Sequence, residues 1–145
     1  MPDVLADPNV RLLALIDLLL VLKMVALGVY TSSLRLRRNV FATPEDYALR
    51  ATAAPVGPDE DIERVRRAHR NDLENILPFF VVSFIYVLTR PAHGTAAVLL
   101  WGFLGARTLH SIYYVRGKQP HRTITFTVGA AIMLMMLLRA LATVV

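Results

Sequence analysis

Apolar residues gather in four long runs, at about 11–34, 73–89, 95–115 and 123–143, with most of the charge collected between them. Each run approaches the ~20 residues that a helix needs to cross ~30 Å of hydrocarbon. The pattern predicts an all-α chain, an integral membrane four-helix bundle forming a single domain over 1–145. The first run resembles a secretory leader only superficially. It lacks a basic flank, carries Asp17 and Lys23, and has no small-residue cleavage site behind it, so it reads as a true span.

Between the first two runs, 40–58 holds Pro44, Pro55, Gly57 and Pro58 among mixed charges and must lie outside the bilayer. Asp59 then stands where a helix cap belongs, and Glu60, Asp61 and Glu63 crowd the turn after it, where carboxylates favour the helix dipole. The second helix therefore starts well before its apolar part, with 60–72 as a cytoplasmic extension and Pro78 as a bend. Residues 90–94 and the stretch around 117–120 read as tight turns that make successive helices antiparallel neighbours.

Composition strengthens the membrane reading. In 145 residues, a hydrophobic share of 55% and a mean hydropathy of +0.48 exceed what a small soluble domain carries. The net charge of +5 would suggest nucleic acid in a soluble protein, but here topology accounts for it. Arginines crowd the first connection (Arg35, Arg37, Arg38, Arg50, Arg64, Arg66, Arg67, Arg70), and Arg116, Lys118 and Arg122 the third, whereas the second holds Arg90 alone. The positive-inside rule places the first and third connections in the cytoplasm and argues against a nucleic-acid partner. With no cysteine, disulfides, thiolate metal sites and a protein thiol nucleophile are excluded, and no metal site is expected. Any sulfur chemistry must arrive with a ligand.

Ionisable residues at membrane depth cost ~2.5–3.5 kcal/mol each, so each calls for a partner, a cavity or a function. Asp17, Lys23, Glu74, Arg107 and His110 are in this position. Arg66, Arg70 and Glu74 share one helix face, joined by Arg67 and Asn71; Arg107, His110 and Tyr114 share another. Mutual pairing, Glu74 with Arg107 for example, would use up some of them. Cations still outnumber buried anions, which points to an anionic guest. Arg122 and Thr123, just after Pro120, open the last helix, where free N–H groups and the dipole favour a thiolate or carboxylate.

The stretch 63–79, with Arg67, Arg70, Asn71, Glu74 and Pro78, resembles the signature of the membrane-associated proteins in eicosanoid and glutathione metabolism, the MAPEG family. Similarity extends through Arg35-Leu36-Arg37, the stretch 41–46, Gly105-Ala106-Arg107 with His110 and Tyr114, and finally Arg122. The resemblance implies a homotrimer binding glutathione between subunits near the cytoplasmic face, through Arg35, Arg70, Asn71, Glu74, His110, Tyr114 and Arg122. Catalytic roles would fall to Arg122, Thr123 and Asp46. Within the family the signals are mixed: 63–67, 73–76 and Phe126 are similar to the detoxifying glutathione transferases, Arg70 to the prostaglandin E synthases. Asp46 occurs in both branches, so it does not decide between them, and it reads more readily as a loop or helix-end charge beside Pro44 than as a catalytic group.

The leading expectation is a glutathione transferase that attacks lipophilic electrophiles arriving from membrane lipids, with peroxidase activity toward lipid hydroperoxides from the same thiolate. The alternatives are a glutathione-dependent endoperoxide isomerase of the prostaglandin E synthase type and a non-catalytic lipid-binding scaffold. Retention of Arg70, Asn71, Glu74, Tyr114 and Arg122 together argues against the scaffold. The membrane expected is a bacterial inner membrane or the endoplasmic reticulum, with the site toward the cytoplasm.

Overall fold

A computed structural model describes residues 4–145, which form a short 3-10 turn at Val4–Ala6 and the helices α1 (Pro8–Arg38), α2 (Pro44–Leu49), α3 (Glu60–Leu88), α4 (His93–Val115) and α5 (His121–Val144). No strand occurs among the described residues. The helix ends follow local chemistry. The Asp7 carboxylate accepts from Asn9 N and Val10 N ahead of Pro8, and Asp59 does the same for Asp61 N and Ile62 N at the start of α3. α1 stops at Asn39, whose φ of 54° is the left-handed conformation that asparagine tolerates, with its N–H returned to the Arg35 carbonyl. α3 runs through Pro78 as one helix.

The connection 40–58 contains a helix that its prolines obscured. Thr43 accepts from Asp46 N, Pro44 takes the first helical position, and Glu45 and Asp46 face the positive end of the dipole, so α2 forms for a single turn and a half. Phe41 closes edge-on against Tyr47 at 5.1 Å, and the Tyr47 hydroxyl accepts from Phe41 N at 2.8 Å.

α3 and α4 occupy the middle of the bundle, each packed on the other and on both α1 and α5, which lie apart from one another. The core joins Leu13, Ile16 and Leu20 of α1 to Ile76, Phe79 and Tyr86 of α3, Leu100 and Phe103 of α4, and Met136 of α5. Phe79 and Phe103 stack face to face at 3.8 Å. Glycine permits α4 and α5 to approach closely, since a Cβ on Gly102 would lie 3.1 Å from the Ile132 Cδ1. At the opposite end, Asn9 ties α1 to the α3–α4 turn by donating to the Pro91 carbonyl at 2.9 Å and accepting from His93 Nδ1 at 2.7 Å.

The outside of the bundle is also apolar. Leu18, Leu22 and Val29 on α1, Leu77, Val81 and Phe84 on α3, and Leu134, Leu138 and Leu141 on α5 are all exposed. Such continuous apolar surface on helices whose backbone groups bond internally suits lipid or further protein, not water. Three helices are long and apolar enough to cross a membrane: Pro8–Arg38, Glu60–Leu88 and His121–Val144. α4 is not among them; Arg107, His110 and Ser111 lower its hydropathy, and all three are buried in the bundle.

Candidate active site

The buried ionic centre is organised by Asp72. Its carboxylate is inaccessible to solvent and accepts from Lys23 Nζ at 2.6 Å, Arg107 Nη2 at 2.9 Å and Ser111 Oγ at 3.1 and 3.3 Å. The expected Glu74–Arg107 pair is absent, and helix geometry gives the reason. At ~100° per residue, Asp72 falls on the inward stripe of Val65, Ala68, Ile76 and Phe79, whereas Glu74 lies ~160° away from it. Glu74 is exposed and has no ion pair among the described residues. Asp17, half-buried on α1, is a second enclosed carboxylate, one of whose oxygens has no hydrogen-bond partner among the described residues.

Arg107 connects this centre to a recess. Besides Asp72 it donates to the Asn71 backbone carbonyl at 3.2 Å and to Asn71 Oδ1 at 2.7 Å. The Asn71 oxygen is thereby committed inward, which leaves its NH2 group to donate toward the recess of about 180 Å³ that it lines with His110, Tyr114, Arg122, Thr123 and Phe126. His110 is 3% exposed. Its Nδ1 lies 2.9 Å from the Arg122 carbonyl, an oxygen that can only accept, so Nδ1 carries the proton. Nε2 is buried without a hydrogen-bond partner among the described residues. A buried polar atom normally finds a hydrogen-bond partner. His110 lines the recess as a residue, while Nε2 itself has no accessible surface there.

Arg122 sits in the first turn of α5, which has no side-chain cap. Its guanidinium lies over the Tyr114 ring, with Cζ 4.6 Å from the centroid. A guanidinium has donors only, so the Gln119 amide presents oxygen to it, accepting from Nε at 3.0 Å and Nη2 at 2.6 Å. The Gln119 nitrogen then donates to Thr123 Oγ1 at 3.0 Å. The remaining Arg122 N–H groups and the Thr123 hydroxyl proton are left for an anion at the mouth of the helix.

Arg35 and Arg70 line a different recess, of about 310 Å³, with Thr31, Ser32, Arg66 and His69. Arg35 Nε and His69 Nδ1 are buried without hydrogen-bond partners among the described residues. Within one chain, then, the residues singled out from the sequence divide into two groups: Asn71, His110, Tyr114, Arg122 and Thr123 on one face, Arg35 and Arg70 on the next. Glu74 lies between Arg70 and Asn71 around the α3 axis. Asp46 lines neither recess; its N–H bonds to Thr43 Oγ1 at 3.4 Å in the first turn of α2. Asp72 and Gln119 were not among the residues singled out. The signal for Asp72 was its place in the apolar stripe; Gln119 has no signal short of the turn that brings its amide to Arg122.

The family model described as the MAPEG family matches residues 13–142. The chain belongs to the MAPEG family. It is 40% identical to microsomal glutathione S-transferase 1 from Homo sapiens over 124 residues, covering 82% of this chain and 80% of that protein. The Rattus norvegicus protein of the same name is 42% identical over an equal length and share. Prostaglandin E synthase from Homo sapiens is 35% identical over 127 residues, covering 87% of this chain and 84% of the relative. Both kinds of MAPEG enzyme thus align along most of the chain.

Proposed function

We propose that this MAPEG protein is a membrane-bound glutathione transferase, in which the recess at the start of α5 holds the glutathione thiolate. The observation that carries the reading is the combination at one site of a helix start without a side-chain cap, an arginine held by Tyr114 and Gln119, and a Thr123 hydroxyl whose proton is left to donate. A ligand filling this recess would find donors from Arg122, Thr123 and Asn71. Glutathione, with two carboxylates and an ionisable thiol, can answer them. Its ammonium suits Glu74.

Arg122 would stabilise sulfur as the anion, and each unit by which a thiol pKa falls corresponds to ~1.4 kcal/mol of preferential thiolate binding. The thiolate attacks an electrophilic carbon, the sulfur–carbon bond forms, and the leaving group departs with the electron pair. Holding both reactants supplies proximity, and the arginine supplies electrostatic stabilisation. Reduction of lipid hydroperoxides would draw on the same thiolate.

The division of Arg35 and Arg70 from the Arg122 recess favours a site completed between neighbouring subunits, as in the expected homotrimer. In that arrangement α4 is the fourth crossing, shielded by α1, α3 and α5. The arginine-rich connections would face the cytoplasm, and the apolar outer surfaces would meet lipid and deliver the second substrate. Asp46 fits better as a first-turn residue of α2 than as a catalytic group.

Identity to prostaglandin E synthase over most of the chain supports a second reading, a glutathione-dependent endoperoxide isomerase. Product analysis separates the two. A glutathione conjugate of a chloronitrobenzene is expected, abolished by Arg122→Ala in protein of unchanged oligomeric state. Rearranged prostanoid with glutathione recovered, and no conjugate, would replace the transferase by the isomerase.

A further inference from the structure

We infer that Gln119 is a positioning residue that sets the thiol pKa of bound glutathione. The inference rests on the reading of Arg122 as the group that holds the thiolate. Gln119 lies in the turn between α4 and α5, outside the recess lining, and its amide is used at both ends. The oxygen takes Arg122 Nε and Nη2 at 3.0 and 2.6 Å, and the nitrogen donates to Thr123 Oγ1 at 3.0 Å.

Each end has a separate consequence. An arginine side chain is long and rotamer-rich, and pinning one edge of its guanidinium directs the opposite edge, with its remaining N–H groups, toward the recess. Tyr114 fixes the plane from beneath, so Gln119 supplies the in-plane constraint that stacking cannot. At the other end, Thr123 Oγ1 receives a hydrogen bond. Its own proton becomes the donor that faces outward, the polarity a thiolate requires and a neutral thiol does not. A neutral amide does this without cancelling the charge of Arg122, as a carboxylate in the same place would.

The proposal separates thiolate stabilisation from glutathione binding. With the carboxylates of the tripeptide reaching Arg35 and Arg70 of the other recess, loss of the amide should leave affinity within about twofold while raising the bound thiol pKa by about half a unit to one unit. A shift of that size is a three- to tenfold loss of thiolate at pH below the pKa.

The test is a pH titration of thiolate ultraviolet absorbance on detergent-solubilised protein saturated with glutathione, with glutathione affinity measured in parallel by calorimetry. Gln119→Ala should move the midpoint upward by the stated amount with affinity retained. Gln119→Glu keeps an oxygen for the guanidinium but adds a charge against Arg122 and removes the donor to Thr123, and should move it at least as far. An unmoved midpoint in Gln119→Ala overturns the proposal, as does an unmoved midpoint in Gln119→Glu where the alanine variant does not yield folded protein. Arg122→Ala distinguishes the two levels. If it removes the thiolate signal while the Gln119 variants do not shift it, only the role of Gln119 is lost; if the signal survives in Arg122→Ala, both readings fall.

Discussion

Replacing Asp72 by asparagine should be among the most damaging conservative changes in this chain. The substitution preserves size and removes the one negative charge that Lys23 and Arg107 share, at 2.6 and 2.9 Å, in a position with no solvent access. At these distances each contact is worth about 6 kcal/mol in Coulomb energy at an effective dielectric constant near 20. The net loss is smaller, because the new amide still offers an oxygen and Lys23, whose side chain is 12% exposed, can swing outward. Breaking a buried pair by removing one partner costs ~3–5 kcal/mol, and that is the range expected. Glu74→Gln is the control: Glu74 is exposed, so stability should stay within ~0.5 kcal/mol while glutathione binds more weakly. Unfolding in mixed micelles, followed by helical circular dichroism, measures both variants. An Asp72→Asn protein within 1 kcal/mol of wild type, or a larger loss in Glu74→Gln, would refute the assignment of the buried centre to Asp72.

Other consequences follow from the remaining polar contacts. Asn9→Ala removes both hydrogen bonds that join α1 to the α3–α4 turn and should cost ~1–3 kcal/mol in the same unfolding assay. The Arg38 guanidinium, bonded to Asp59 at 2.7 and 2.8 Å, holds that carboxyl below its ordinary value of 3.8. A depressed carboxyl contributes its stability above the unfolded pKa and loses it as pH falls through the folded one. Proteolytic nicking of the 50–60 connection should therefore rise as the pH drops below about 4, and Asp59→Asn should show that sensitivity already at neutral pH. Tyr114→Leu keeps apolar bulk but removes the ring under Arg122, a contact worth ~0.5–2 kcal/mol, and should lower conjugation rate more than it lowers thermal stability.

Much of this architecture was legible before any coordinates, because hydrophobic runs, caps and prolines act locally. Asp59 declares the start of α3, and Thr43-Pro44-Glu45-Asp46 declares α2 once the prolines around it are discounted. The residues of the Arg122 recess were legible too, through the family pattern and the logic of a helix start. What escaped depends on the angular position of one helix against another. Asp72 and Glu74 are two residues apart and chemically alike, yet one is at the centre of the bundle and the other on its surface. Inspecting the stripe Val65, Ala68, Asp72, Ile76 and Phe79 would have separated them. The division of Arg35 and Arg70 from Arg122 could not be read from helical spacing, since Arg35 comes from α1 and Arg122 from α5, and only tertiary packing sets which side of α3 each adjoins.

The central claim is that glutathione places its sulfur at the start of α5, and a cryo-microscopy map of the protein in lipid nanodiscs with saturating glutathione tests it most directly. The account predicts tripeptide density with sulfur against the Arg122 guanidinium and the Thr123 hydroxyl, and a carboxylate end reaching Arg35 of an adjacent subunit. Density confined to another part of the bundle, or an empty recess at concentrations that saturate turnover, would contradict it.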